Sequence, residues 1–297
     1  MSPATTHKRQ QLSRFVEQVL QRAPAVQGVV AIGSVATGRA KPDSDIDAFL
    51  FLDPFDWYTT PAEFIWRPAD NSYHSIFSHD PGLAEEGIQL DFKRIDWGQW
   101  SDPRCEWPEP RRAELANGWV AFDRSGRVAQ EIARHTHYPD TLRLSRLDEA
   151  LVWLDEHLHV EPQAAWQQLG PLIAQDRLDA AGDYLVSALF AYNRHWQPFR
   201  NRQMDYLLAL PWLTADFGPR FYSPRTLDYP SYGARLANLR QLFAQLQEQL
   251  ITNGDYSHVP VDQAFIRTHD EPGYAWNMDE WNMVCAQRLI AANGGTK

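Results

Sequence analysis

Residues 33–53 read GSVATGRAKPDSDIDAFLFLD: a Gly-Ser pair, ten residues, then Asp45-Ile46-Asp47 at the head of an apolar run. Side chains alternate along a β-strand, so Asp45 and Asp47 project from one face while Ile46, Ala48, Leu50 and Leu52 line the other. Two carboxylates then stand side by side. Like charges so close repel unless a divalent cation neutralises them, and hard oxygen ligands with room for water and phosphate suit Mg2+. Asp45 and Asp47 are therefore candidate metal ligands.

Upstream, VQGVVAI over residues 26–32 reads as a short buried strand, after which Gly33 lets the backbone turn without a side chain in the way. Ser34 follows at once. A tight turn that exposes amide N–H groups and a hydroxyl can hold phosphate oxygens. Arg39 and Lys41 lie between the turn and the carboxylates, so Gly33, Ser34, Arg39 and Lys41 form a candidate nucleotide-binding set. No Gly-x-x-x-x-Gly-Lys occurs here, which argues against a P-loop NTPase.

A strand, Gly-Ser, about ten residues and Asp-x-Asp opening a second strand resembles the DNA polymerase beta-type nucleotidyltransferases, a superfamily that includes the aminoglycoside and lincosamide nucleotidyltransferases. The resemblance implies a third acidic residue on a later strand. IQLDFKRI, residues 88–95, offers it: Ile88, Leu90 and Phe92 alternate with Gln89, Asp91 and Lys93, which puts Asp91 on the polar face of a half-buried strand. In LANGWVAFDRSGRVAQEIA, residues 115–133, Trp119 to Asp123 reads as a last strand, Ser125-Gly126 as a turn and Val128 as the start of a helix. The likeness spans roughly residues 10–135, and Gly33-Ser34 with Asp45 and Asp47 is its specific part.

The chain of 297 residues is long enough for two domains of ordinary size, and its formal net charge of −10 disfavours a protein whose affinity comes from neutralising nucleic-acid phosphates. The same acidic balance favours a cationic acceptor. Two cysteines, Cys105 and Cys285, suggest no disulfide framework. The N-terminus has no apolar signal core and no stretch of the chain approaches a membrane span, so a cytoplasmic protein is expected. Leu12, Phe15, Val16, Val19 and Leu20 recur at helical spacing and mark an amphipathic helix ending near Ala23-Pro24.

Residues 54–87 read as an aromatic-rich insert whose rings pack a loop onto the core, and DPRCEWPEPRR, residues 102–112, as a connection over the surface. From about residue 140 the pattern turns helical. Leu144, Leu147, Leu151 and Leu154 form one stripe, Leu178, Leu185, Leu189 and Tyr192 a second, and Leu236, Leu239, Leu242, Phe243 and Leu246 a third, with a last helix over 276–290. AYNRHWQPFRNRQMDYLL, residues 191–208, gathers Asn193, Arg194, His195, Arg200 and Arg202; Arg194 is its candidate nucleotide contact, as part of a triphosphate or acceptor clamp. The competing reading is a solvated helix end whose arginines pair with Asp183 or Asp205. The pairs His135-x-His137 and His157-x-His159 lack the context of a zinc site, and no Gly-x-Ser-x-Gly elbow supports acyl transfer.

The expected architecture is α+β: a mixed-sheet nucleotidyltransferase catalytic domain over residues 1–138 and an all-helical, substrate-binding domain over residues 139–297. The resemblance implies magnesium-dependent transfer of a nucleoside monophosphate from a nucleoside triphosphate, with ATP the expected donor, to a small-molecule hydroxyl such as that of an antibiotic. Asp45, Asp47 and Asp91 would be its catalytic and metal-ligating residues. Two other classes stay open at this point, a protein-modifying adenylyltransferase and a nucleotide-binding module without turnover.

Overall fold

The computed structural model describes residues 1–270, which fall into two compact units, Met1–His137 and a second from Tyr138 onward. The helix expected over 276–290, and Cys285 within it, lie outside the described residues.

The first unit opens with α1 (Pro3–Gln18), where Ser2 caps the helix by accepting from the Thr5 amide. Leu12, Phe15 and Val16 are buried on its apolar face, as the helical spacing predicts, and a 3-10 turn at Leu20–Arg22 closes it before Ala23-Pro24. There follow β1 (Val26–Ala31), α2 (Gly33–Thr37), β2 (Ile46–Leu52), β3 (Glu63–Arg67), β4 (Ser72–His74), α3 (Pro81–Glu86), β5 (Ile88–Asp96), α4 (Trp97–Trp100), α5 (Glu109–Ala116), β6 (Trp119–Asp123) and α6 (Arg127–Thr136). The strands make one six-stranded sheet in the order β4-β3-β5-β2-β1-β6. Only β2 and β5 run parallel to each other, so the sheet is mixed.

Two cores sandwich the sheet. Ile46, Ala48, Leu50 and Leu52 turn to the α1 side with Phe15 and Trp66, whereas Phe49 and Phe51 turn to the other side with Trp97, Trp100, Leu115 and Val128. The second face of β2 is thus apolar beyond Asp47, which the simple alternation of polar and apolar residues did not anticipate.

The insert at 54–87 departs from the expected loop. Its segment Glu63–Arg67 alternates exposed and buried positions, pairs with β5 and extends the sheet; Phe64 and Trp66 are buried, while Trp57 and Tyr58 stay exposed. The aromatics therefore divide between the core, where Phe64 and Trp66 occupy the inward positions of β3, and the surface of the preceding turn, rather than packing as one loop.

The second unit is helical: α7 (Asp140–Leu158), α8 (Pro162–Tyr192), α9 (Gln203–Leu207), α10 (Phe217–Phe221), α11 (Tyr229–Thr252) and α12 (Pro260–Asp270). The expected stripes form one core, except that Leu144 is exposed. Gly170, at φ 76°, breaks α8 into two helical runs ahead of Pro171. Among the described residues no helix is long and apolar enough to cross a membrane.

Candidate active site

The end of β1 and the start of β2 are held together by the Ile32 amide, which donates to the Asp47 carbonyl oxygen at 2.9 Å. Gly33 then turns at φ 62° and Ser34 follows in α2. Arg9 on α1 fixes the far end of α2, its guanidinium donating to the carbonyls of Val35 and Ala36 at 3.1 and 2.7 Å. Gly33, Ser34 and Asp47 are thereby held at one end of the sheet by main-chain contacts. Arg39 and Lys41 are exposed in the following turn, where the Arg39 Nε donates to Thr37 Oγ1 and the Lys41 amide donates to Ser44 Oγ.

Parallel pairing puts Asp47 directly opposite Asp91, and antiparallel pairing puts Glu63 of β3 on the other flank of Asp91. Neighbouring strands lie about 4.8 Å apart, so three carboxylates stand in a row across β2, β5 and β3. Asp45 immediately precedes β2, and both it and Asp47 are half-buried. Lys93 lies two residues along β5, its Nζ 3.7 Å from Asp47 Oδ1. Burial raises the Asp91 pKa above the ordinary carboxylate value; Lys93 opposes the shift, and Asp47, Glu63 and Asp45 add to it. On the other side of Asp45, burial lowers the pKa of Lys8, against the pull of Asp45 and Asp43. Glu63, Lys93 and Lys8 are thus electrostatic members of the site that were not among the sequence candidates. For Glu63 the available signal was the alternation in EFIWR, hidden by reading the whole insert as loop.

Among the described residues no group of three or more His, Cys, Asp or Glu side chains is gathered tightly enough to hold a metal ion by itself. Magnesium does not require such a cage, because one or two carboxylates, substrate phosphates and water complete its octahedron. The donor set of Asp45, Asp47 and Asp91, hard oxygens partly open to solvent, is of that chemical kind.

Farther along the same sheet face, past Phe49 and Lys93, a cleft of about 470 Å³ opens between β5 and the segment leading into α5. Cys105, Trp107, Pro108 and Arg111 line it, so the Pro-rich run expected to be a surface connection forms one of its walls. His135 packs against Trp100 in a tilted contact with ring centroids 4.9 Å apart, and its Nε2 lies 3.0 Å from the Trp100 carbonyl oxygen. Burial holds the His135 pKa down, and the ring serves as a packing residue.

Arg194 belongs to the helical unit. It sits at φ 55° after the end of α8 and pairs with Asp140 at 2.8 Å, both side chains well exposed. Asn193 bridges main chain there, donating to the Leu189 and Trp212 carbonyls while its Oδ1 accepts from the Trp212 amide. Arg200 pairs with Asp183, as the solvated-helix-end reading expects.

Residues 12–78 match a family model described as a nucleotidyltransferase domain, a span that contains Gly33, Ser34, Asp45, Asp47 and Glu63 and ends before Asp91. No curated protein matches the chain. Among solved structures the chain is similar to a nucleotidyltransferase-like protein from Exiguobacterium sibiricum 255-15, at 13% identity over 91% of this chain and 83% of that one, with a TM-score of 0.39. A likeness of that degree assigns no residue a role. Neither match names an antibiotic or any other acceptor.

Proposed function

We propose that this chain, which carries a nucleotidyltransferase domain, moves a nucleoside monophosphate, AMP when ATP is the donor, to a hydroxyl of a small molecule. The observation that carries the reading is the direct pairing of Asp47 with Asp91 beside the Gly33-Ser34 turn, within and next to the matched domain. The acceptor oxygen attacks the α-phosphorus; a new P–O bond forms, the bond from the α-phosphorus to the bridging oxygen breaks, and pyrophosphate leaves. The hydroxyl proton goes to Asp91. Its raised pKa supports that role, since a carboxylate with a higher pKa is the better proton acceptor once ionised.

Asp45 and Asp47 would hold magnesium, with Asp91 the third candidate ligand, and the ion would neutralise charge on the phosphates and the leaving group. Gly33 and Ser34 would position the terminal phosphates through amide and hydroxyl donors, with Arg39 and Lys41 supplying positive charge nearby. The row of Asp47, Asp91 and Glu63 concentrates negative charge that a pure binding module would gain nothing by keeping, which supports turnover.

The test is incubation with magnesium and each nucleoside triphosphate against a panel of hydroxylated compounds, read by pyrophosphate release and mass spectrometry. The expected product is one acceptor heavier by a nucleoside monophosphate, formed in step with pyrophosphate. AMP appearing on a protein instead would move the reading to a protein-modifying enzyme.

A further inference from the structure

We infer that the cleft beside Asp47 and Asp91 receives the acceptor, and that the acceptor is an aromatic compound carrying an anionic group; the assignment rests on the nucleotidyl-transfer reading for the reaction but not for the binding. Phe49 and Lys93 stand two residues beyond Asp47 and Asp91 on their strands, hence on the same face and about 7 Å away. That is the reach of one ring. Phe49 and Trp107 meet edge to face at 5.5 Å, and Trp107 meets Trp100 the same way at 5.6 Å, so three rings box the cleft. Such walls favour a flat ring by offset and edge contacts.

Position along the strands separates acceptor from nucleotide. The Gly33-Ser34 turn sits at the starting end of β2, tied there by the Ile32–Asp47 hydrogen bond, while the cleft opens toward the far end of β2 and β5. The attacking and leaving oxygens of phosphoryl transfer lie roughly in line. With the triphosphate at the turn, the acceptor enters from the cleft.

The charge of the lining points to an anion. Lys93 approaches Asp47 only to 3.7 Å, beyond hydrogen-bond distance, and Arg111 lies over the Phe49 ring at 5.9 Å while its Nη1 donates to Glu114 at 2.6 Å. Asp96, which also borders the cleft, is committed to capping α4 through the amides of Gly98 and Gln99, and Glu106 is exposed. An anionic acceptor departs from the cationic one expected from net charge, and the two are separated by the probes below.

Cys105, a free and partly exposed thiol in the lining, reports occupancy. In a Cys285→Ser background, the rate at which a chromogenic disulfide reagent modifies Cys105 is measured with para-hydroxyphenylacetate, with tyramine and with magnesium–ATP. At ten times its dissociation constant the aromatic acid should slow modification about ten-fold, whereas tyramine and magnesium–ATP leave it unchanged. Trp107→Ala should abolish the protection, and circular dichroism checks that this variant is folded. No protection by the acid at millimolar concentration overturns the inference. Equal protection by tyramine overturns the anionic assignment, and protection by magnesium–ATP alone makes the cleft the base site. If the acid protects yet no product forms in any acceptor screen, the transfer reading falls and the binding site stands.

Discussion

Asp47 and Asp91 face each other across one strand pair, yet their loss should read differently. Asp47→Asn keeps the shape and removes charge, and the loss of phosphate neutralisation should slow transfer at least ~100-fold. For Asp91 the prediction is one of sign. Its folded pKa is raised, so the folded state holds the proton more tightly than the unfolded chain; ionised Asp91 costs stability above the folded pKa, and the cost vanishes below the unfolded value of about 3.9. Asp91→Asn should therefore raise the melting temperature at pH 7, give no gain near pH 3, and remove most turnover. Glu63→Gln takes away one of the charges that raise the Asp91 pKa and should move the acid limb of the pH–rate profile to lower pH. Asp45 and Asp47 were legible in the sequence because period-two alternation around a short motif fixes their face, whereas Asp91 entered through the resemblance, which implies a third acidic residue, and the alternation gave only its face. Glu63 and Lys8 were not legible, since their place depends on which strand and helix fold back beside the motif.

At the level of elements, the Gly33 turn has the least freedom. An L side chain at φ 62° is strained by about 1–2 kcal/mol, and movement of the turn would also disturb the Ile32–Asp47 hydrogen bond. Gly33→Ala should raise the KM for the triphosphate more than it lowers stability, measured by steady-state kinetics alongside urea unfolding. The strands β1, β2, β5 and β6 and the helices α1 and α6 follow patterns visible in sequence, each being a single apolar period bounded by Gly, Pro or a capping residue. The pair β3 and β4 was hidden because Glu63–Arg67 and Ser72–His74 are short, and only their pairing, β3 with β5 and β4 with β3, makes them strands. The cleft wall at 102–112 was hidden for a related reason: Pro marks a connection, and local chemistry does not say what lies beneath it.

For the whole molecule, the division into two compact units separates site from scaffold tests. In the helical unit Arg143, 2% exposed, forms a bidentate pair with Asp255 at 2.8 and 2.5 Å. Asp255→Ala leaves that guanidinium buried without its carboxylate and should cost about 3–5 kcal/mol in chemical unfolding. The long apolar stripes of this unit were readable, whereas α12 and its Arg267–Asp148 pair, which bring together residues more than a hundred positions apart, were not. The central claim is that the α-phosphorus moves to an acceptor at the Asp45–Asp47–Asp91 face. It is tested most directly by supplying triphosphate labelled in turn at the α and the γ phosphorus to the wild-type protein and to Asp47→Asn, with magnesium and the acceptor panel. The α label should appear on the acceptor and the γ label in pyrophosphate, with both signals lost in the variant. A γ label on the acceptor, or full activity in Asp47→Asn, would contradict the account.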